Sequence, residues 1–254
     1  MLDFNHRPKF YEDVNALIDT EIQKQRMQSP ARNYLGASRL GVACSRALQY
    51  EYLNVPKDEE KEFTGDKLRI FELGHNIEQL AINWLKMAGL ELYTNKSDGS
   101  QFGFSVLGGK IRGHVDGIIN SAPASLIAKY NLTFPMLWEC KSMNNKYFNE
   151  TVKKGLVISK PIYAAQIATY QAYMEGTIAG ISNNHCWFTA VNKDNSEIYH
   201  ELIPFNQQLA QNSSDRAVNI IAASEAGETL PKISNDPCYF ECKMCSYNKT
   251  CWRA

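Results

Sequence analysis

No apolar run in this 254-residue sequence approaches the roughly 20 residues that span a bilayer, so a membrane-crossing helix is not expected. Nor is there a surplus of either charge: 27 lysines and arginines stand against 27 aspartates and glutamates, and any nucleic-acid contact must therefore come from a local patch. Internal repeats and low-complexity linkers are missing too, which leaves nothing to divide the chain into an array. Residues Met1 to Arg26 are polar and charged rather than signal-like, and the expected location is the cytoplasm. In that reducing compartment the seven cysteines are poor disulfide candidates, and the clustered ones read as metal ligands.

A chain of this length can bury one substantial core. Residues 1–35 read as a charged segment, helical over Val14 to Met27 and closed by Pro30, ahead of a single domain over 36–254. Leu40, Ala43, Ala47, Leu48 and Tyr50 recur at near-helical spacing, which puts Cys44 on or beside a helix. Leu68, Phe71, Ile77, Leu80, Ala81, Trp84 and Leu85 mark a long amphipathic helix over 66–88, with an interruption at Gly74 left open. Phe102–Leu107 and Ile111–Ile119 flank the turn signal Gly108-Gly109 and predict a hairpin. Residues 120–134 read as an irregular insertion and Met136–Cys140 as a buried strand. Pro161 opens a strong helix to Met174; Asn184–Val191 and Glu197–Ile203 are two more strands, and Ala210–Ala226 is a further helix. The order predicts a mixed α/β fold with a central sheet flanked by helices.

Chemistry concentrates in a few places. Asp116 lies within Gly113-His114-Val115-Asp116-Gly117, and Glu139-Cys140-Lys141 falls on the next predicted strand. Residues two apart on a strand share a face, so Glu139 and Lys141 point together while Cys140 points into the core. Carboxylates converging from neighbouring strands are what a divalent ion acting on a phosphodiester needs. Lys141 can orient or help deprotonate the attacking water, or neutralise charge on the phosphate. His75 and Glu78 lie three apart on one helical face, and either could add a third ligand. Gln166-x3-Tyr170 projects an amide and a phenol from consecutive helical turns, suited to gripping a phosphate or a water. Lys146, Lys153, Lys154 and Lys160 follow Lys141 with only Glu150 against them and Tyr147 interleaved, a patch suited to a nucleic-acid backbone.

Cys242-x2-Cys245-x5-Cys251 can share one inorganic centre, because a two-residue spacing lets both sulfurs turn inward around a tight loop. A fourth ligand is required, and Cys238 would complete a local zinc knuckle. Cys186, beside Trp187 in a strand, reads as a core residue.

Over residues 36–254 this constellation resembles the PD-(D/E)XK nuclease superfamily, in particular RecB-type exonucleases and the iron-sulfur nucleases associated with CRISPR adaptation and with phage genomes. Leu73-Gly74-x3-Glu78 matches the first motif, which favours Glu78 over His75; Gly113–Gly117 match the motif of the first strand acid, Glu139-x-Lys141 the signature acid and lysine, and Gln166-x3-Tyr170 the RecB-like motif. Val115 stands where the superfamily has its proline. The resemblance implies a restriction-endonuclease-like sheet and a single-strand-preferring DNA exonuclease that uses Mg2+ or Mn2+. Glu78, Asp116 and Glu139 would be ligands with the carbonyl of Cys140, Lys141 the base or electrostatic stabiliser, and Gln166 and Tyr170 positioning groups. Lys146, Tyr147, Lys153 and Lys154 would contact DNA.

The resemblance also assigns Cys44 as fourth ligand of a [4Fe-4S] cluster with Cys242, Cys245 and Cys251, clipping the 238–254 tail to the 40–50 helix. Closing so long a loop removes about 5 kcal/mol of unfolded-chain entropy if the disulfide relation carries over. Partner proteins of recombination, repair or CRISPR adaptation are implied as well. The rivals are a catalytically silent DNA- or protein-binding module, against which both acids and Lys141 speak, and an endonuclease, with zinc in place of iron and sulfide.

Overall fold

The computed structural model describes residues 9–30 and 32–253; the first eight residues of the N-terminal segment lie outside the described residues. The segment opens with α1 (Phe10–Met27), starting one turn ahead of the expected helix, followed by the short strand β1 (Leu35–Gly36) and α2 (Ser45–Tyr52). Next come α3 (Gly65–Met87), β2 (Glu91–Tyr93), β3 (Gly103–Val106), β4 (Ile111–His114), β5 (Gly117–Ser121) and α4 (Ala124–Tyr130). The central strand β6 (Met136–Met143) leads into α5 (Asn145–Lys154), α6 (Leu156–Ser159) and α7 (Pro161–Met174). Strands β7 (Cys186–Asn192) and β8 (Ile198–Ile203) precede α8 (Gln207–Glu225), α9 (Phe240–Met244) and α10 (Asn248–Trp252).

Among the described residues the strands form two mixed sheets rather than one: β2-β5-β6-β7-β8 and β1-β4-β3. β6 and β7 run parallel at the centre, and their residues are buried on both faces, as a strand covered by helices on either side requires. One face, carrying Met136, Trp138 and Cys140, packs on Ile77, Ala81 and Leu85 of α3; the other, with Leu137, Phe188 and Ala190, packs on Ile167 and Met174 of α7 and Ile220 of α8. α7 is apolar around most of its circumference and buried from Ala164 to Gln171, so it is a core helix rather than a surface one. Pro161 at its first turn needs no amide partner there.

Two predicted segments differ in the structure, and the open question at Gly74 is answered. The predicted strand over 111–119 is broken at Val115-Asp116 and its halves join different sheets. Residues 124–130 form α4 in place of an irregular insertion, and α3 runs unbroken through Gly74, because its buried stripe continues on either side of the glycine.

The 228–253 segment folds back onto α2. Gln49, itself buried, donates to the Glu228 carbonyl at 2.6 Å and accepts from the Leu230 amide at 2.9 Å. Tyr50 meets the Tyr247 ring edge-on at 5.3 Å. Buried Asp58 receives the Lys249 amide (2.7 Å), the Thr250 amide (3.1 Å) and the Thr250 hydroxyl (2.8 Å), capping α10. Burial opposes the charge of Asp58, yet those three donors hold its carboxyl below the ordinary aspartate range. An acid lowered in this way contributes stability that is present above its unfolded pKa and lost as pH falls through the folded one. Asp58→Ala is therefore expected to cost about 1–3 kcal/mol at neutral pH and to expose the tail to proteolysis. Its stability should converge on that of the wild type in acid; an equal deficit at pH 7 and below pH 3 would dismiss the cap.

Candidate active site

The break at Val115-Asp116 creates the site. β4 continues in the three-stranded sheet, β5 in the five-stranded one, and Asp116 stands at the junction, where a cavity of about 670 Å³ opens. Its wall includes His75 and Glu78 from α3, Asp116, and Tyr170 from α7. Gly113 opposes Phe104 and Tyr170 so closely that a Cβ there would lie 2.5 Å from the Phe104 ring and 3.0 Å from that of Tyr170, which explains a glycine at this position.

Glu139 lies behind this wall, fully buried on β6. Its Oε1 accepts from the Lys141 ammonium and from the Gln166 amide at 2.6 Å, while Oε2 has no partner. Lys141 also donates to the carbonyl of Cys140 at 3.2 Å and lies 5.4 Å from the centre of the Tyr163 ring. The Cys140 amide donates to Asp116 Oδ2 at 2.8 Å and thereby orients that carboxylate. Glu139 and Lys141 do share a face, and the Cys140 thiol is buried on the other side.

Burial, reinforced by the Asp116 charge and partly offset by Lys141, pushes Glu139 up to about 8 and Glu78 up to about 7. Burial works against the Lys141 ammonium, but Glu139 and Asp116 beside it win, and its pKa lies above that of an ordinary lysine. Burial and the same two carboxylates, partly offset by Lys141, raise the Tyr170 phenol. At neutral pH Lys141 is thus a fixed positive charge and Tyr170 a neutral donor.

Glu78, His75, Asp116, Glu139, Lys141, Gln166 and Tyr170 therefore fall in one neighbourhood. They are not drawn onto one point: among the described residues no three histidine, cysteine, aspartate or glutamate side chains converge to hold a single ion. Gln166 turns to Glu139 instead of into the cavity, and the Cys140 carbonyl faces Lys141. The lysine patch lies on α5 and beside α7. Lys154 pairs with Glu150 at 2.8 Å, Lys160 sits 3.7 Å from the Tyr147 ring centre and Lys146 5.9 Å, and Lys153 is exposed.

Sequence reasoning missed further residues of the cavity lining: Arg32, Tyr34, Arg112 and His114, with Gln79, Asn95 and Gln101. Arg112 and His114 continue the two-residue period back from Asp116, which was a readable signal. Arg32 and Tyr34 gave none.

A second cavity, of about 330 Å³, is lined by Cys44, Cys242, Cys245 and Cys251 together; Cys238 is exposed and outside it. Cys44 is the residue just ahead of α2. The Tyr247 amide donates to Cys245 Sγ at 3.4 Å and Arg46 to Cys251 Sγ at 3.7 Å. Arg216 of α8 donates to the Leu40 and Val42 carbonyls and to the Ser45 hydroxyl, fixing the turn that presents Cys44. The segment 36–44 serves both cavities: Gly36 and Ser38 line the first, Arg39, Val42, Ala43 and Cys44 the second. Midway, Gly41 lies against the backbone of Ile162, where a Cβ would come within 2.5 Å of Cα.

No family description matches the sequence, and no curated protein does. Among solved structures, LHK-Exo in complex with dAMP has a TM-score of 0.50 at 15% identity, covering 77% of this chain and 89% of that one. The alkaline exonuclease LHK-Exo from Laribacter hongkongensis has the same score and identity, with 78% and 90% covered. SSO0001 follows at 0.47 and 15%, covering 94% and 95%. No helix among the described residues is long and apolar enough to cross a membrane. At 15% identity the likeness is one of fold: a mixed α/β architecture shared with an alkaline exonuclease.

Proposed function

We propose that the chain is a metal-dependent DNA nuclease of the PD-(D/E)XK superfamily, a single-strand-preferring exonuclease of the RecB-like branch using Mg2+ or Mn2+. The observation that carries this reading is Glu139: a buried carboxylate with one oxygen tied to Lys141 and Gln166 and the other without a partner, beside Asp116 and Glu78. A buried carboxylate oxygen without a donor is costly unless a cation completes it. A divalent ion that drew Glu139, Asp116 and Glu78 together from their separate positions would polarise the phosphate and acidify a water. The protein's own part is to fix the carboxylates, through the Gln166 amide and the Cys140 N–H, and to set the Lys141 charge against the negative charge growing on the phosphate. Tyr170, which lines the cavity, would offer it a neutral phenol. LHK-Exo, described as an alkaline exonuclease and as a complex with dAMP, lends the reading support at the level of fold. Digestion of end-labelled and circular single-stranded DNA, with and without Mg2+ or Mn2+, tests it; no cleavage under any condition would leave a silent binding module.

The raised carboxyls make ion binding pH-dependent, because protons compete for the same oxygens. The neutral forms of Glu139 and Glu78 contribute stability that is full below their unfolded pKa and lost as pH rises through about 7 and about 8. In EDTA the melting temperature should fall between pH 6 and pH 9, more for the wild type than for Glu139→Gln. Added Mn2+ should raise it more at pH 9 than at pH 6. Equal ion-induced shifts at both pH values would separate these carboxyls from the ion.

Lys146, Lys153 and Lys154, with Tyr147, bind the DNA backbone on this reading. Neutralising the three lysines should flatten the slope of log affinity against log salt by up to about 2, at roughly 0.7 per contact on single strands; an unchanged slope returns them to a solvated face. The four cysteines of the second cavity hold a [4Fe-4S] cluster. What supports the larger centre over a local zinc knuckle is that Cys44, and not Cys238, shares the cavity with Cys242, Cys245 and Cys251.

A further inference from the structure

We infer that Arg32, Tyr34 and Arg112 form a nucleotide-binding wall, with Tyr34 stacking the base of a single-stranded nucleic acid and the two arginines holding the phosphates on either side of it. The inference rests on the nuclease reading and adds the groups that select the strand. Tyr34 is half-buried at the edge of the catalytic cavity, ahead of β1. The Arg112 guanidinium lies 5.0 Å from its ring centre and that of Arg32 5.9 Å. Both arginines are exposed, and neither is among the salt bridges of the described residues, so their charges are open to an anion. The arrangement is built by pairing: β1 runs parallel to β4 with Gly36 opposite Arg112, which brings the residues just ahead of β1 beside that arginine. Arg112 spends only its Nε, donated to the Gly109 carbonyl at 3.0 Å, and keeps its terminal nitrogens for a ligand. Along β4 and beyond it, Arg112, His114 and Asp116 follow at two-residue intervals, and all three line the cavity. A strand laid along this wall thus leads from the cationic aromatic end to the carboxylates.

The chemistry of the wall selects the ligand. An aromatic ring with two guanidiniums close to it suits alternating bases and phosphates once a base displaces a guanidinium from the ring: stacking is indifferent to sequence, and arginine matches phosphate geometry. A base stacked inside a duplex offers no free face to Tyr34, so the preference is for an unpaired strand over duplex interior.

The test uses full-length protein with its metal centres, measuring cleavage and, in a Lys141→Ala background, binding of oligonucleotides carrying 2-aminopurine. Tyr34→Ala should weaken single-strand binding about tenfold or more, raise KM more than it lowers kcat, and restore the fluorescence that stacking quenches in the parent. Tyr34→Phe should retain all three properties. Arg32→Ala with Arg112→Ala should leave the quenching measurable at saturating DNA and reduce the salt slope by about 1.4. Tyr34→Ala with parental affinity, KM and quenching overturns the inference while the nuclease reading survives. A wild-type protein that neither binds nor cuts DNA overturns both.

Discussion

Glu139→Gln is expected to reduce DNA cleavage by on the order of a thousandfold or more while leaving the fold and most single-strand binding in place. The amide preserves the shape of the side chain and an oxygen for the Gln166 donor, but it has no proton to give up and cannot become the anion that binding of an ion requires. Alanine is a harsher test, because it leaves a largely buried ammonium with only the Cys140 carbonyl, and breaking such a pair costs about 3–5 kcal/mol. Asp116→Asn should behave like Glu139→Gln. Lys141→Ala should lose about 10²–10³ in kcat, the scale seen when one preorganised donor to developing charge is deleted. Rates on end-labelled single-stranded DNA, beside far-ultraviolet circular dichroism and a binding isotherm for each variant, separate chemistry from folding. A Lys141→Ala protein that cuts at the wild-type rate would mean that the centre lies elsewhere.

Protein purified without oxygen should be brown, with broad absorption near about 400 nm and about four irons per chain, and Cys44→Ala should bleach it. Loss of that ligand releases the tail from the turn ahead of α2, which Arg216 otherwise holds in place. The entropy then regained by the unfolded chain is about 5 kcal/mol on the loop-closure relation. Removal of the cluster should therefore lower the melting temperature far more than Asp58→Ala does. Cys238→Ala should change neither colour nor stability, since its thiol is exposed and outside the cavity. A colourless protein with one zinc per chain, sensitive to Cys238→Ala and indifferent to Cys44→Ala, would overturn the assignment.

Most long elements were legible because burial on a helical or alternating pattern leaves a mark in local sequence. α7 announced itself by Pro161 and a run of apolar residues, and β6 by Met136 to Cys140. β2 was not legible: three residues carry too little pattern, and pairing with β5 supplies what their own composition does not. The rupture between β4 and β5 was invisible for a different reason, since Ile111 to Ile119 alternates as one strand would and only the competition between two sheets decides where it parts. At the site, acid and lysine spacing placed Glu139 and Lys141 on one face. It could not tell that Gln166 would serve the carboxylate rather than the cavity, because that choice depends on the depth of α7 in the core. Tyr34 and Arg112 lie far apart in sequence and meet through a two-residue parallel pairing that leaves no local trace.

Surface loops are ordinarily where a chain tolerates a gained or lost residue. The 36–44 segment is an exception. It is anchored by pairing at Gly36, pressed on Ile162 at Gly41 and held by Arg216 just before Cys44. The stretch is coiled rather than extended, with a 3-10 turn over Ala37–Arg39, and its three anchors set its span between the two cavities. Its length is thus part of the specification of both cavities: one extra residue would have to bulge toward the Asp116 cavity or the cysteine cavity. A lineage could vary the chemistry at either end far more readily than the count of residues between them.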